Sequence, residues 1–227
     1  MAPESRVAVY FAPPADSALA IAGAHWLGRS AEAHTPCPQP DFLGMAEVTA
    51  EARLYGFHAT LKPPFRLASG KTWADLVRAA ELLAARISPF NLPPLAVADL
   101  HGFLALRETA PCTPLQALAD DCVQTLDAFR APPTSEDEEK RRRSPLTPEQ
   151  EKMLARWGYP YVFSEWFFHM TLTRRLQPAE KAFWWSSART FFADTLLVPL
   201  RATDICLFRQ PGAGQVFISV ARLPLRG

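Results

Sequence analysis

The sequence predicts an α+β fold made of two related halves. Two observations carry that reading. The stretch Phe57-His58-Ala59-Thr60-Leu61 returns as Phe168-His169-Met170-Thr171-Leu172, and the runs around each copy follow the order strand, helix, motif strand, helix, strand. From average residue usage, two copies of H-x-T-L in a chain of this length arise by chance in roughly one sequence in ten thousand. The repeat is therefore a duplication that kept one short motif.

Residues 6–12, R-V-A-V-Y-F-A, are β-branched and aromatic and end at Pro13-Pro14, which predicts a strand. Asp16 or Ser17 then caps a helix over 18–27 that Gly28 ends. Residues 29–46 are polar, proline-rich and aperiodic, a loop expected over the site. The first motif strand covers 55–62 and Pro63-Pro64 stops it. Trp73, Leu76, Val77, Ala80, Leu83, Ala84 and Ile87 recur at three- and four-residue spacing, an amphipathic helix with Thr72 as its cap. Strands follow over 95–101 and 103–107, on either side of Gly102.

Thr113-Pro114-Leu115-Gln116 reads as a capping box opening a third helix, which Pro132-Pro133 marks off. The segment 134–144, T-S-E-D-E-E-K-R-R-R-S, is an acidic block followed by a basic one and reads as a solvated loop. The competing reading has Arg141, Arg142 and Arg143 touching a polyanionic substrate. Thr147-Pro148-Glu149-Gln150 is another capping box, for a short helix through Trp157 closed by Gly158. Residues 159–165 lead into the second motif strand. An aromatic helix with Phe183, Trp184, Phe191 and Phe192 begins at Pro178, and 201–208 and 216–223 form a hairpin around a P-G-A-G turn. The division falls at 1–101 and 102–227, with a charged linker over 131–147.

Composition limits the partners. The 227 residues are 48% hydrophobic, enough for a core, and carry a net charge of +1, so no global field draws the chain to nucleic acid or a membrane. The four cysteines form no C-x-x-C pair and none has metal-ligand spacing to a histidine, which argues against structural zinc and a disulfide framework. Residues 1–6 lack a signal-peptide core and no run is apolar enough to cross a bilayer, so a cytoplasmic location is expected. Neither a cofactor nor an obligate protein partner is called for.

On a strand, alternate side chains share a face. Each motif therefore presents one imidazole and one hydroxyl to a common cleft. Two histidines there suit acid–base catalysis near pH 7, where one takes a proton while the other gives one. Phosphoryl transfer at a diester uses that pair: one His activates water or a hydroxyl, the other protonates the leaving oxygen, and Thr60 and Thr171 hold nonbridging oxygens without a metal. Counting by twos adds Lys62 from Thr60, and Thr173 and Arg175 from Thr171, as cations or hydroxyls for the phosphate; Tyr10, Arg66 and Arg174 are further substrate-binding candidates. His25, His34 and His101 have no partner motif and read as structural or surface residues. No cysteine neighbours a motif, and no acidic residue or third His lies at ligand spacing from one.

At these residues the chain resembles the 2H phosphoesterase superfamily, marked by two H-x-[T/S] motifs among hydrophobic neighbours. More narrowly, R-V-A-V-Y-F-A-P-P, Y-G-F-H-A-T-L-K-P-P-F-R-L and F-H-M-T-L-T-R-R-L resemble the bacterial branch associated with phosphonate-utilisation operons, except that Arg174 stands where that branch carries glycine. The resemblance implies a bilobal, pseudo-twofold fold with two antiparallel sheets flanking a central cleft and helices outside. It also implies His58, Thr60, His169 and Thr171 as the catalytic residues of a metal-free phosphodiesterase on a small cyclic phosphate, from a nucleotide or a ribosyl phosphate. Two other functions stay open at this point: a non-catalytic protein binding a nucleotide or RNA end, and an RNA 2′-5′ ligase or processing enzyme.

Overall fold

A computed structural model describes residues 5–142 and 144–227; the expectation for Arg143 and most of that for residues 1–6 lie outside them. In chain order the elements are β1 (Arg6–Phe11), α1 (Ala18–Leu27), β2 (Arg29–Ser30), β3 (Thr35–Pro36), α2 (Met45–Val48), α3 (Ala50–Tyr55), β4 (Ala59–Phe65), α4 (Trp73–Ala84), β5 (Phe90–Asn91), β6 (Leu95–Leu100) and β7 (Phe103–Glu108). There follow α5 (Thr113–Leu126), α6 (Ser135–Arg141), α7 (Pro148–Trp157), β8 (Met170–Thr171), α8 (Pro178–Phe192), β9 (Arg201–Ala202), β10 (Asp204–Gln210) and β11 (Ile218–Pro224). The fold is α+β with antiparallel strands and helices.

The main sheet has seven strands in the order β11-β10-β1-β4-β8-β7-β6. It is two half-sheets joined edge to edge at the two motif strands, where Ala59 pairs with Met170. The two sheets expected to flank a cleft are thus continuous, through a joint one residue pair long. The division at 101/102 is not a boundary between lobes. β6, from the first sequence half, completes the half-sheet of β7 and β8, while β10 and β11, from the second, complete that of β1 and β4. Each half of the sequence thus lends its third main-sheet strand to the other half-sheet.

Local chemistry explains most elements. Ser17 Oγ accepts from Ala20 N–H at 3.1 Å to start α1, and Gly28, at φ 79°, ends it in the left-handed region. Full capping boxes start α4, at Thr72 and Asp75, and α7, at Thr147 and Gln150. The box expected at Thr113 does not form: Cys112 takes the N-cap position of α5 without a side-chain cap bond, and Gln116 donates to Asp120 and to the Phe163 carbonyl. The stretch 29–46 holds the short hairpin of β2 and β3 and the start of α2.

The charged stretch is a correction as well. It holds α6, where Thr134 and Asp137 make a reciprocal capping box, three acidic residues occupy the first turn and two basic ones the last. That distribution complements the helix dipole, so the block charges expected to solvate a loop instead support a helix.

One hydrophobic core lies between the sheet and helices α1, α4, α5 and α8. Val7, Val9 and Phe11 face it, whereas Ala8, Tyr10 and Ala12 face a smaller cluster with Phe208 and Phe217 on the other side. β1 is buried on both faces, which is why it reads as an unbroken apolar run. Phe168, fully buried, packs against Phe11 at 5.9 Å between ring centres, and Phe57 stacks on Phe192 at 6.2 Å. The phenylalanine of each motif thus anchors its histidine from behind. Among the described residues no helix is long and apolar enough to cross a membrane.

Candidate active site

The register at the joint organises the site. With Ala59 opposite Met170, and both buried in the core, the antiparallel pairing sets Thr171 beside His58 and Thr60 beside His169 on the opposite face. The two histidines are then diagonal neighbours, roughly 7–8 Å apart at Cα. Two tryptophans brace the joint: Trp166 Nε1 donates to the Thr60 carbonyl at 2.8 Å, and Trp26 Nε1 to the Leu172 carbonyl at 2.9 Å.

Each imidazole is oriented in the same way. His58 Nδ1 meets the Gly56 carbonyl at 2.9 Å and His169 Nδ1 meets the Phe167 carbonyl at 3.1 Å, both two residues back. A carbonyl only accepts, so Nδ1 carries the proton and Nε2 is left as the acceptor. His58 Nε2 accordingly lies 3.3 Å from Thr60 Oγ1. Gly56 is needed for this turn: its φ is 83°, and a Cβ there would come within 2.6 Å of the Ala31 Cβ.

Tyr10, fully buried, stacks its ring on His58 at 3.7 Å and 25° and fixes the imidazole plane. Burial is the main cause that pushes His58 down to about 4, and the charge of a protonated His169 works in the same direction. Burial also lowers His169, helped by the Arg107 guanidinium. Both are neutral bases at pH 7.

His58, Thr60, Thr171 and Tyr10 line a cleft of about 620 Å³. His169 is set to its side, with Phe167 and Phe103 at 4.9 and 6.1 Å from its ring. Of the expected binding residues, Tyr10 and Arg66 reach the cleft, as does Arg141 of the competing reading; Lys62, Arg174 and Arg175 do not. Lys62 faces the core because β4 bulges: Tyr10 pairs with Thr60 but Val9 pairs with Lys62, one residue out of step, so alternation from Thr60 fails. Its ammonium, 1% exposed at the residue level, donates to the Val123 carbonyl at 3.2 Å and Asp127 at 3.1 Å.

In the second motif the chain leaves the ladder after Thr171. Leu172 and Thr173 both donate to the Leu104 carbonyl, and Thr173 Oγ1 takes the Leu104 N–H at 2.9 Å, which buries Thr173 away from the cleft. Arg174 then pairs with Glu47 and Glu180, and Arg175 donates to the His101 carbonyl. His25 and His34 bond the carbonyls of Pro38 and Ser219, as structural residues do, and His101 is exposed. Tyr55, Tyr159, Arg6 and Lys140 also line the cleft and were not legible as site residues. Only the Thr134-x-x-Asp137 capping pattern could have put Lys140 on an ordered helix.

Comparison with known proteins adds relatives. Residues 60–218 match the family described as "Protein of unknown function (DUF1045)". A protein of Janthinobacterium sp. (strain Marseille) named ribose 1,5-bisphosphate phosphokinase PhnN is 37% identical over 232 residues, 98% of this chain and 51% of the relative. One of the same name from Laribacter hongkongensis (strain HLHK9) is 36% identical over 214 residues, 93% and 50%. The chain spans about half the length of these curated relatives. Among solved structures, E. coli LigT complexed with 3′-AMP aligns over 99% of both chains with a TM-score of 0.47 and 16% identity.

Proposed function

We propose that this chain, which belongs to the DUF1045 family, is a phosphodiesterase that opens a small cyclic phosphodiester, of a nucleotide or a ribosyl phosphate, by paired-histidine acid–base catalysis. The observation that supports the reading is the Ala59–Met170 pairing, which sets the two motifs side by side, with His58, Thr60 and Thr171 lining one cleft. Nothing in a purely structural role calls for two such sets with the same Nδ1–carbonyl bond.

The assignment of roles follows from protonation. His58, the neutral base, takes a proton from water through Nε2 as the water oxygen bonds phosphorus. One ring P–O bond breaks, and His169, charged when the anionic substrate binds beside it, passes its Nε2 proton to the leaving oxygen. Thr60 and Thr171 donate to nonbridging oxygens. The products are a phosphomonoester and a free hydroxyl, and the two histidines exchange their proton through solvent.

The kinase name of the relatives belongs to proteins about twice as long. In this chain Gly70-Lys71-Thr72 lies between a strand and a helix, but Phe65 stands where a phosphate-binding G-x-x-x-x-G-K-T loop needs its first glycine. Lys71 sits over the Phe129 ring at 5.3 Å and Thr72 is spent on capping α4. The phosphodiesterase reading is therefore preferred.

A panel of 2′,3′-cyclic nucleotides and cyclic ribose phosphates tests it. Turnover of at least one member to a single phosphomonoester is expected, and tight binding across the panel with no product would replace catalysis by binding. The pH dependence is a second check. With base and acid both lowered from 6.5, kcat/KM should rise with pH through about 4 as His58 loses its proton, and fall again below 6.5 as His169 loses its own. A plateau running from pH 6 to 9 is incompatible with those roles.

A further inference from the structure

The cleft holds a set of charges that opening a cyclic phosphate does not use. Arg6, Arg66, Lys140 and Arg141 line it against two carboxylates, Glu136 and Asp137. A chain of net charge +1 thus gathers an excess of positive charge in one place. A second, smaller cavity is also lined by Arg6, Arg66 and Arg141, so the three guanidiniums converge on one corner.

The corner is ordered. Arg66 is ion-paired with Asp137, which the Thr134 backbone N–H and hydroxyl also bond at 3.1 and 2.9 Å. The capping box that starts α6 is thereby tied to the end of the first motif strand. Arg6 Nε donates to Gln210 Oε1 at 2.8 Å, and the Arg141 guanidinium lies 4.6 Å over the Tyr159 ring. Among the described residues Lys140 and Arg141 make no ion pair. Arg6 is four residues along β1 from Tyr10, which stacks on His58; that is roughly 13 Å of strand, a span covered by an arginine side chain and a ribose-sized spacer. Tyr55 and Tyr159 offer flat walls between.

A single cyclic phosphate, already met by two histidines and two threonines, leaves Arg6, Lys140 and Arg141 without an anionic partner among the described residues. Converging guanidiniums match a terminal phosphate, whose three oxygens take several charge-assisted bonds at once. We propose that this corner is a phosphomonoester subsite, and that the substrate is a nucleotide-sized cyclic phosphodiester carrying a separate terminal phosphate. The assignment names the substrate class of the phosphodiesterase reading and rests on it.

The test compares adenosine 2′,3′-cyclic phosphate with its 5′-phosphorylated form. The phosphorylated probe should give a kcat/KM at least about tenfold higher, and the Lys140→Ala/Arg141→Ala variant should bring the ratio to within about twofold. Equal kcat/KM for the two probes overturns the subsite and leaves the phosphodiesterase intact. If neither probe is turned over, calorimetry on the His169→Ala protein decides independently: adenosine 3′,5′-bisphosphate should bind at least about tenfold tighter than 3′-AMP, and equal affinity overturns the proposal. Turnover confined to oligoribonucleotides with a cyclic end, with no gain from a 5′-phosphate, also overturns it, in favour of an RNA end.

Discussion

Replacing His58 by alanine is expected to lower kcat at least about 10³-fold, the loss of a general base whose task His169, assigned to the leaving oxygen, does not take over. Among the described residues the side-chain hydrogen-bond partner of its Nε2 is Thr60, whose hydroxyl cannot act as a base at neutral pH. Because the ring is stacked on Tyr10, His58→Gln serves as a control that fills the space. Both variants should remain folded. They should also flatten the acid side of the stability curve. A histidine held at about 4 but ordinary when unfolded binds protons preferentially in the unfolded chain, so the native protein loses on the order of 2 kcal/mol as pH falls from 6.5 towards 4. Turnover within tenfold of the native rate in both variants would remove His58 from the mechanism.

The largest effect on stability should come from Asp127. This carboxylate holds Lys62 at 3.1 Å and Arg130 at 2.7 Å, and Asp127→Ala leaves the Lys62 ammonium in the core with the Val123 carbonyl and the Phe65 ring, and no anion, beside it among the described residues. Burial already pushes Lys62 below its ordinary range, with Asp127 opposing that shift. Breaking a buried pair from one side costs about 3–5 kcal/mol, whereas Lys62→Met, which removes the buried charge and keeps the stem, should stay within about 1 kcal/mol of native. Urea unfolding of the two variants reads the contrast. Should Lys62→Met keep its stability yet lose activity 100-fold, the lysine belongs to the site after all.

Lys62 also marks where the sequence stops being legible. Thr60 could be read because it sits on the regular part of β4, and His58 because it immediately precedes that strand, where alternation still holds. The bulge just beyond them is set by pairing with β1, and neither Leu61 nor Pro63 announces it. In the second motif the same counting fails for another reason: the Thr173 hydroxyl captures a ladder N–H, and the arginines after it turn out of the cleft. Helix starts at Ser17, Thr72 and Thr147 were legible because a cap is a local bond. The exchange of third strands was not, since β6 and β10 each suit either half-sheet by pattern alone.

That exchange has a consequence for how the chain is made. β1 pairs with β4 early in synthesis, but its other edge waits for β10, about 200 residues downstream. At ordinary elongation rates that is roughly 10–40 s during which an apolar strand destined for complete burial presents unpaired amides to solvent. The half-sheet that holds His58 is therefore the last to close, and Tyr10 and His58 reach their final stacked geometry only when the nascent chain is nearly complete.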